Sequence, residues 1–282
     1  MLRPRSTQGI AFALLALVTI LIIVPVSLII FIVIKEGYQA ISIEFLTSMP
    51  RNGMREGGIF PALLGTIYLV TAAVAVSLPT GVLAAVYLTE YAKDTVLTRI
   101  IKLAIVNLAG VPSVVYGLFG LGLFVIFLNF GASILSGALT LAIMELPVII
   151  TSSREALMGV PRSFREVSLS LGASKWQTIR HVVLPYAVPG IMTGTILSVA
   201  RVAGETAPIL FTVAAFYLPD LPRSIFDQAM ALPYHLYIIS TQIPNMPKGL
   251  TYGTALVLIM LVLSMNFFAI IVRTYFRRRK KW

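Results

Sequence analysis

The chain has 282 residues, of which 58% are hydrophobic and only 12% are charged, and its mean hydropathy is +0.92. Soluble domains carry about 25% charged residues, so this composition excludes an ordinary soluble domain and indicates a membrane protein. Because the sequence has no cysteine, disulfides, thiolate metal sites and cysteine nucleophiles are also excluded.

Six apolar stretches follow one another along the chain, each near the roughly 20 residues that an α-helix needs to cross a bilayer. They cover residues 10–34, 59–91, 103–129, 132–152, 187–217 and 252–276. The first follows Arg3 and Arg5, as a secretory signal would, but it is long and no small-residue cleavage site follows it. We interpret it as a retained first helix. The sequence therefore predicts an all-α polytopic membrane protein with six transmembrane helices, in which residues 1–282 form a single domain.

The basic residues indicate how these helices are oriented. With the N-terminus in the cytoplasm, most of them fall on the inner side, including the run at residues 277–281. The two long outer loops, at about 35–58 and 218–251, hold only Lys35, Arg51, Arg55, Arg223 and Lys248. The positive-inside rule then predicts that the N- and C-termini are both cytoplasmic. The net charge of +11 is thus explained by anionic lipid and membrane orientation, without nucleic acid as a partner.

Glycine and proline mark two features of the spans and loops. Residues 110–117, GVPSVVYG, are rich in helix-disturbing residues, which fits either close helix packing or a bend beside a transport pathway. The outer loop at 218–251 carries several prolines, so only short helical pieces are expected there. Both outer loops are either solvated connections or a rim on which an external partner docks.

The loop between the fourth and fifth spans, at about 154–186, is unusually long for a connection between neighbouring spans. Its first part has apolar residues at helical spacing, namely Phe164, Val167 and Leu171. Gly172 permits the left-handed backbone that ends a helix, and a second short helix is predicted from Ser174 to a stop at Leu184-Pro185. Such an amphipathic element suits either anionic lipid or a soluble cytoplasmic partner.

The same loop resembles the EAA loop of ATP-binding-cassette importer permeases. The glutamate, the glycine six residues later and the Leu-Pro pair stand at the family's spacing, whereas Val167 and Ser168 replace alanines and Val182 replaces isoleucine. The resemblance implies a type I importer permease fold in which the helix at 166–172 seats in a groove of a separate ATPase subunit. The coupling residues implied are Glu166, Val167, Ser168, Gly172, Ala173, Leu184 and Pro185.

The sequence also indicates where the energy source lies. The chain has no G-x-x-x-x-G-K-[ST] loop for nucleotide phosphates, so ATP and Mg²⁺ are expected on a partner ATPase. We therefore expect this chain to bind no cofactor, and to be a non-catalytic permease with neither catalytic nor metal-binding residues.

Two charged residues lie in the fifth predicted span, the most polar of the six. Arg201 and Glu205 are four residues apart, so on one helix they share a face and can pair. Charges at membrane depth are costly and normally face a partner charge or an aqueous cavity, so either a structural pair or a pathway site is possible. If the pathway carries an oxyanion, the Arg201 guanidinium offers it a permanent fork of donors.

Residues 201–211, RVAGETAPILF, also resemble a segment of the phosphate-specific permeases within this family. That resemblance implies phosphate as the cargo. It further implies a second, related permease forming a heterodimer with this chain, a dimeric ATP-binding subunit and an extracytoplasmic phosphate-binding protein. The expected location is the bacterial or archaeal cytoplasmic membrane.

Other interpretations stay open at this point. The cargo could be another oxyanion or a small solute, or the chain could be a channel or secondary transporter without an ATPase. Glu145, before Pro147 in the fourth span, either lines the pathway or bonds to a neighbouring helix. His181 and His235 have no second ligand at metal spacing, so we interpret them as solvated or packing histidines.

Overall fold

The computed structural model describes residues 4–218 and 220–278; Arg3 and residues 279–282 at the end of the basic run lie outside this range. Helices dominate it. The α-helices are α1 (Pro4–Gly37), α2 (Ile43–Thr47), α3 (Phe60–Val86), α4 (Val96–Leu108), α5 (Ser113–Gly120), α6 (Ile134–Met158), α7 (Arg162–Ser170), α8 (Lys175–Thr178), α9 (Leu184–Gly204), α10 (Ala207–Thr212), α11 (Leu232–Thr241) and α12 (Lys248–Arg278). Three π-helical segments extend them at Tyr87–Tyr91, Leu121–Phe127 and Ile179–Val183.

Five of these helical runs are long and apolar enough to cross a membrane, and within the described residues the number is six if one bent pair of helices is counted as a single span. The five are Ala11–Ala40, Phe60–Tyr91, Ile134–Met158, Lys175–Gly204 and Lys248–Tyr275. The prediction of a helical polytopic membrane protein is therefore confirmed, with the bent pair in the place of the predicted third span. The fourth membrane span, α6, continues six residues beyond the end predicted at residue 152, to Met158.

The third span is not the single helix predicted at 103–129. It consists of Val96–Leu108 and Ser113–Phe127, which meet at 106°. The break has a local cause, because Pro112 lacks a backbone N–H and Gly110 is a poor helix former. The Tyr116 hydroxyl donates to the Leu108 carbonyl at 2.8 Å and so closes the end of α4. A bend, one of the two interpretations left open for the glycine–proline cluster, is therefore present.

The fifth span also differs from the prediction of one helix at 187–217. The α9 helix ends at Gly204, Glu205 is extended with ψ 137°, and the short α10 follows. Pro208 cannot donate to the Gly204 carbonyl, so a continuous helix would lose a bond at this point. At the other end, the predicted stop at Leu184-Pro185 is wrong. The helix runs on from Lys175 to Gly204, and Pro185, which has no backbone N–H to donate, comes just after the π-helical turn.

The helices pack around α6. It contacts α3 on one side and α9 on the other, α12 packs on α9, and α1 contacts α12 along its outer edge. Close approach of α6 and α9 depends on Gly194, because a Cβ there would overlap the Ser152 side chain. A large apolar cluster joins α3, α6, α9, α11 and α12, and a smaller one lies at the end of the bundle that carries α7.

The two loops at the opposite end are folded onto the bundle. The first holds α2 and a small antiparallel hairpin, β1 (Pro50–Arg51) and β2 (Glu56–Gly57), a small departure from the all-α prediction. The second holds α11, which fits the predicted short helical pieces. The Arg55 guanidinium donates to the Pro244 carbonyl at 3.0 Å, so the two loops contact each other.

Candidate functional site

A cluster of charged and polar side chains lies where α6 faces the end of α9. Arg201 Nε is 3.4 Å from Glu205 Oε1 and 3.5 Å from Glu145 Oε1. The Ser198 hydroxyl donates to the other oxygen of Glu145 at 2.7 Å. Arg201 and Glu205 therefore lie together as predicted. Glu205, however, reaches Arg201 from the extended segment beyond the helix and not from the next turn of α9.

The three charged side chains differ in burial. Glu145 is 1% exposed, Glu205 is 17% exposed and Arg201 is 38% exposed. Arg201 donates a hydrogen bond from Nε only; its two terminal nitrogens donate none to any described residue. The geometry thus holds the guanidinium by its inner edge and leaves its outer fork open. If both carboxylates are ionised, the cluster has a net charge of −1.

Glu145 is the member of this cluster that the sequence did not assign. Of the two interpretations left open, the contacts agree with bonding to a neighbouring helix, because its partners Ser198 and Arg201 are both on α9. One signal could have found it. An intramembrane carboxyl on one span and an intramembrane arginine on the next are each costly alone, so pairing them is the expected solution.

Five of the seven predicted coupling residues lie on α7 and the turn after it, and the other two lie at the start of α9. Glu166 is exposed and Val167 is 60% exposed, whereas the Ser168 hydroxyl is 2.9 Å from that of Thr178 on α8. Gly172 has φ +85°, the left-handed conformation predicted for the helix end. Ala173 donates its N–H to the Ser168 carbonyl at 3.3 Å, and Leu184 and Pro185 begin α9.

The apolar stripe of α7 is not covered by the rest of the described chain. Together with Ser163, Ser168 and Val182, its residues line a groove, and Leu171 at its end is 84% exposed. Phe164 makes an edge-to-face contact with Tyr186, with ring centroids 5.2 Å apart. This end of the molecule therefore presents an apolar surface on a helix that is itself well fixed.

The underside of α7 holds an ion pair that the sequence did not reveal. Arg165 Nη2 is 2.7 Å from Glu90 Oε1, and the two side chains are 20% and 9% exposed. Arg165 also donates to the carbonyls of Val160 and Leu157 at 2.8 and 2.9 Å. Little in the sequence indicates this ion pair. Glu90 stands at the end of an apolar span, and nothing local indicates that an arginine 75 residues later reaches it.

Of the two histidines, one is buried and the other is exposed. His235 lies on α11, is 4% exposed and has no hydrogen-bond partner for Nδ1 in the described chain. This burial lowers the pKa of His235 to about 4. His181 is exposed, and its Nδ1 lies 3.1 Å from the carbonyl of Gln177 one helical turn earlier. Within the described residues, no three His, Cys, Asp or Glu side chains are grouped so as to hold a metal ion.

Comparison with known proteins places this architecture in a family. Residues 77–282 match the family model described as "Binding-protein-dependent transport system inner membrane component". The chain is 35% identical over 248 residues to "Probable ABC transporter permease protein YqgI" of Bacillus subtilis, covering 83% of this chain and 84% of that protein. It is 34% identical over 285 residues to "Phosphate transport system permease protein PstA 1" of Mycobacterium tuberculosis, covering 99% and 92%.

The fold has a counterpart among solved structures. A chain of a bacterial ABC transporter involved in the import of the acidic polysaccharide alginate superposes with a TM-score of 0.70 at 13% identity, covering 99% of this chain and 97% of that one. At that identity the likeness concerns the fold alone. With the family match and the PstA relatives, the chain belongs to the binding-protein-dependent transport system inner membrane components, as a multi-pass permease subunit of an ATP-binding-cassette importer in the bacterial inner membrane.

Proposed function

We propose that this chain is one permease half of an ATP-driven phosphate importer, and that Arg201 recognises the anion inside the translocation pathway. The observation that carries the proposal is the state of Arg201. It is a guanidinium within an apolar bundle, held at Nε by two carboxylates, with its terminal nitrogens open and 38% of its side chain exposed. A purely structural arginine at this depth would be expected to use its whole fork.

The carboxylates explain why the cargo is phosphate and not a fully ionised oxyanion. Near neutral pH phosphate keeps at least one hydroxyl, which can donate to Glu205 while Arg201 donates to the other oxygens. Sulfate has no such proton, and its oxygens would face the Glu205 carboxylate without a bond. The similarity to PstA proteins over nearly the whole chain supports the same cargo.

We assign energy coupling to α7. Its exposed apolar stripe is a surface that a soluble partner can cover, and Glu166, Val167 and Gly172 stand where the EAA loop has its recognisable residues. In this proposal the partner is a dimeric ATPase that binds ATP and Mg²⁺, while Ser168, Ala173, Leu184 and Pro185 hold the shape of the loop. A second, related permease forms a heterodimer with this chain and completes the pathway that the open face of Arg201 lines.

The remaining partner is an extracytoplasmic phosphate-binding protein. The two loops joined by Arg55 and Pro244 form one folded surface at the end opposite α7, and we assign docking to it. This requires the N- and C-termini and α7 to be cytoplasmic, as the distribution of basic residues predicts.

The test is ATP-driven phosphate uptake in vesicles that contain the whole importer. We expect Arg201→Gln to lower uptake by about tenfold or more, because charge-assisted bonds to the anion are lost. Leu197→Ala, one turn away on the exposed face of α9, is the matched control and should import normally. Unchanged phosphate import by Arg201→Gln, with the ATPase subunit still co-purifying, would refute the assignment of Arg201.

The same preparation separates the competing functions. A channel or secondary transporter would carry its solute without ATP and would not bring down an ATPase subunit. A permease for another oxyanion would require ATP but would prefer sulfate in competition, and Glu205→Gln would not change that preference.

A further inference from the structure

Two π-helical turns lie at the α7 end of the bundle, and we call the region between them the joint. One ends the second span at Tyr87–Tyr91, and the other joins α8 to α9 at Ile179–Val183. Between them lies the smaller apolar cluster, which includes Val86 and Leu88 from the second span, Leu157 from α6, and Ile179 and Val183 before α9. Three membrane spans therefore meet directly beneath α7.

Arg165 is the residue that ties α7 to this joint. Its Nε and Nη2 both contact the Glu90 carboxylate, at 3.2 and 2.7 Å, and Glu90 belongs to the first π-helical turn. Its Nη1 and Nη2 also reach the carbonyls of Val160 and Leu157, at the end of α6. All three guanidinium nitrogens are used, on two different spans.

A second contact joins the loop that carries α7 to the same π-helical turn. Lys175 Nζ lies 4.9 Å from the centre of the Tyr91 ring, so α8 also contacts the first π-helical turn. π-Helical turns are locally wide and are found frequently at functional sites, where a helix must change its course without breaking. The turn at Tyr87–Tyr91 is therefore contacted from both helices of the loop that carries the proposed docking surface.

We propose that Arg165 and Glu90 are positioning residues that transmit displacement of α7 to the second and fourth membrane spans. This rests on the proposed docking of an ATPase on α7 and names how that motion enters the bundle. Exposed residues of α7 contact the partner, and the buried pair fixes α7 to α3 and α6, so that the three move as one body. Without the pair, α7 still moves with the ATPase, but its displacement is no longer transmitted to the two spans.

The decisive variant is Glu90→Gln, which keeps the shape and an oxygen acceptor but removes the charge. We measure ATP hydrolysis and phosphate uptake together in vesicles containing the complete importer. The expected result is normal assembly and near-normal hydrolysis, with phosphate imported per ATP falling by about five- to tenfold, the range of a modest coupling energy. Asp94→Asn is the matched control, because the Asp94–Arg99 pair lies on the same connection but is exposed, and it should leave this ratio unchanged.

Three results would overturn the proposal. One is an unchanged ratio in Glu90→Gln; the second is loss of the ATPase subunit from the Glu90→Gln complex, which would assign the pair to docking or folding instead. The third is an equal fall in hydrolysis and uptake. Val167→Glu, on the exposed stripe, distinguishes the underlying docking proposal: if it leaves the ATPase bound and active, docking on α7 fails whatever Glu90→Gln does.

A spectroscopic measurement tests the joint without reference to the cargo. The chain has no native cysteine, so spin labels can be attached at Ser170→Cys on α7 and Lys93→Cys beside the first π-helical turn. We expect one narrow distance distribution with and without ATP, and a broadened one when Glu90→Gln is added. A distribution that Glu90→Gln does not broaden would contradict the transmission role.

Discussion

Two arginines in this molecule meet carboxylates in opposite ways. Arg165 uses Nε, Nη1 and Nη2, contacts its carboxylate at 2.7 Å and is 20% exposed. Arg201 uses Nε alone, contacts its carboxylates at 3.4 and 3.5 Å and is 38% exposed. A guanidinium has five N–H donors; Arg165 uses four of them within its own chain, whereas Arg201 uses one among the described residues.

The difference separates a mechanical role from a recognition role. An arginine with four of its five donors bonded to two spans fixes their relative positions and keeps a single N–H. A guanidinium held only at its inner edge keeps a defined orientation and still offers two nitrogens to something outside the chain. Both side chains lie beside apolar clusters, and they differ in exposure and in the number of donors that are bonded.

The largest expected effect tests this contrast through stability. Arg165→Ala leaves the Glu90 carboxylate buried without its partner, and breaking such a pair costs about 3–5 kcal/mol. Arg201→Ala should cost less, because Glu145 keeps its bond from Ser198 and Glu205 is partly exposed. Thermal unfolding of the purified importer in detergent measures both. Equal losses would break the comparison.

A pH series defines where the comparison holds. The pKa of His235 is lowered from 6.5 to about 4 in the folded protein. Between about pH 4 and pH 6.5 this histidine is therefore protonated in the unfolded chain and neutral in the folded chain. Stability should therefore fall as pH drops from about 6.5 towards 4, by up to roughly 3 kcal/mol. His235→Leu, which cannot titrate, should flatten this acid limb in thermal unfolding. An unchanged acid limb would assign the loss to other groups, and the two arginines are best compared above pH 7.

A smaller effect should come from Glu145→Gln, which sharpens the description of Arg201. The amide keeps an oxygen for Ser198 but removes the negative charge beside Nε. We expect assembly to persist, phosphate uptake to fall by only a few-fold, and inhibition of uptake by sulfate to strengthen, because the cluster repels a fully ionised anion less. Competition assays with sulfate measure this. A loss as large as that of Arg201→Gln would mean that Glu145 itself contacts the cargo.

Several features of the site followed from local sequence. Phe164, Val167 and Leu171 at helical spacing placed α7, and Gly172 ended it because only glycine adopts a positive φ without strain. Arg201 and Glu205 were recognisable because charges are rare in apolar spans. Each of these inferences depends on near neighbours in the chain or on the cost of charge in lipid.

Other features depended on how distant segments pack. The sequence by itself determined six spans, the amphipathic loop and the family, since hydropathy and motif spacing are properties of consecutive residues. Only the tertiary structure decided that Glu145 meets Arg201 from another helix and that Glu90 meets Arg165. Those contacts join residues up to 75 positions apart, and their partners are chosen by helix packing, which no local pattern encodes.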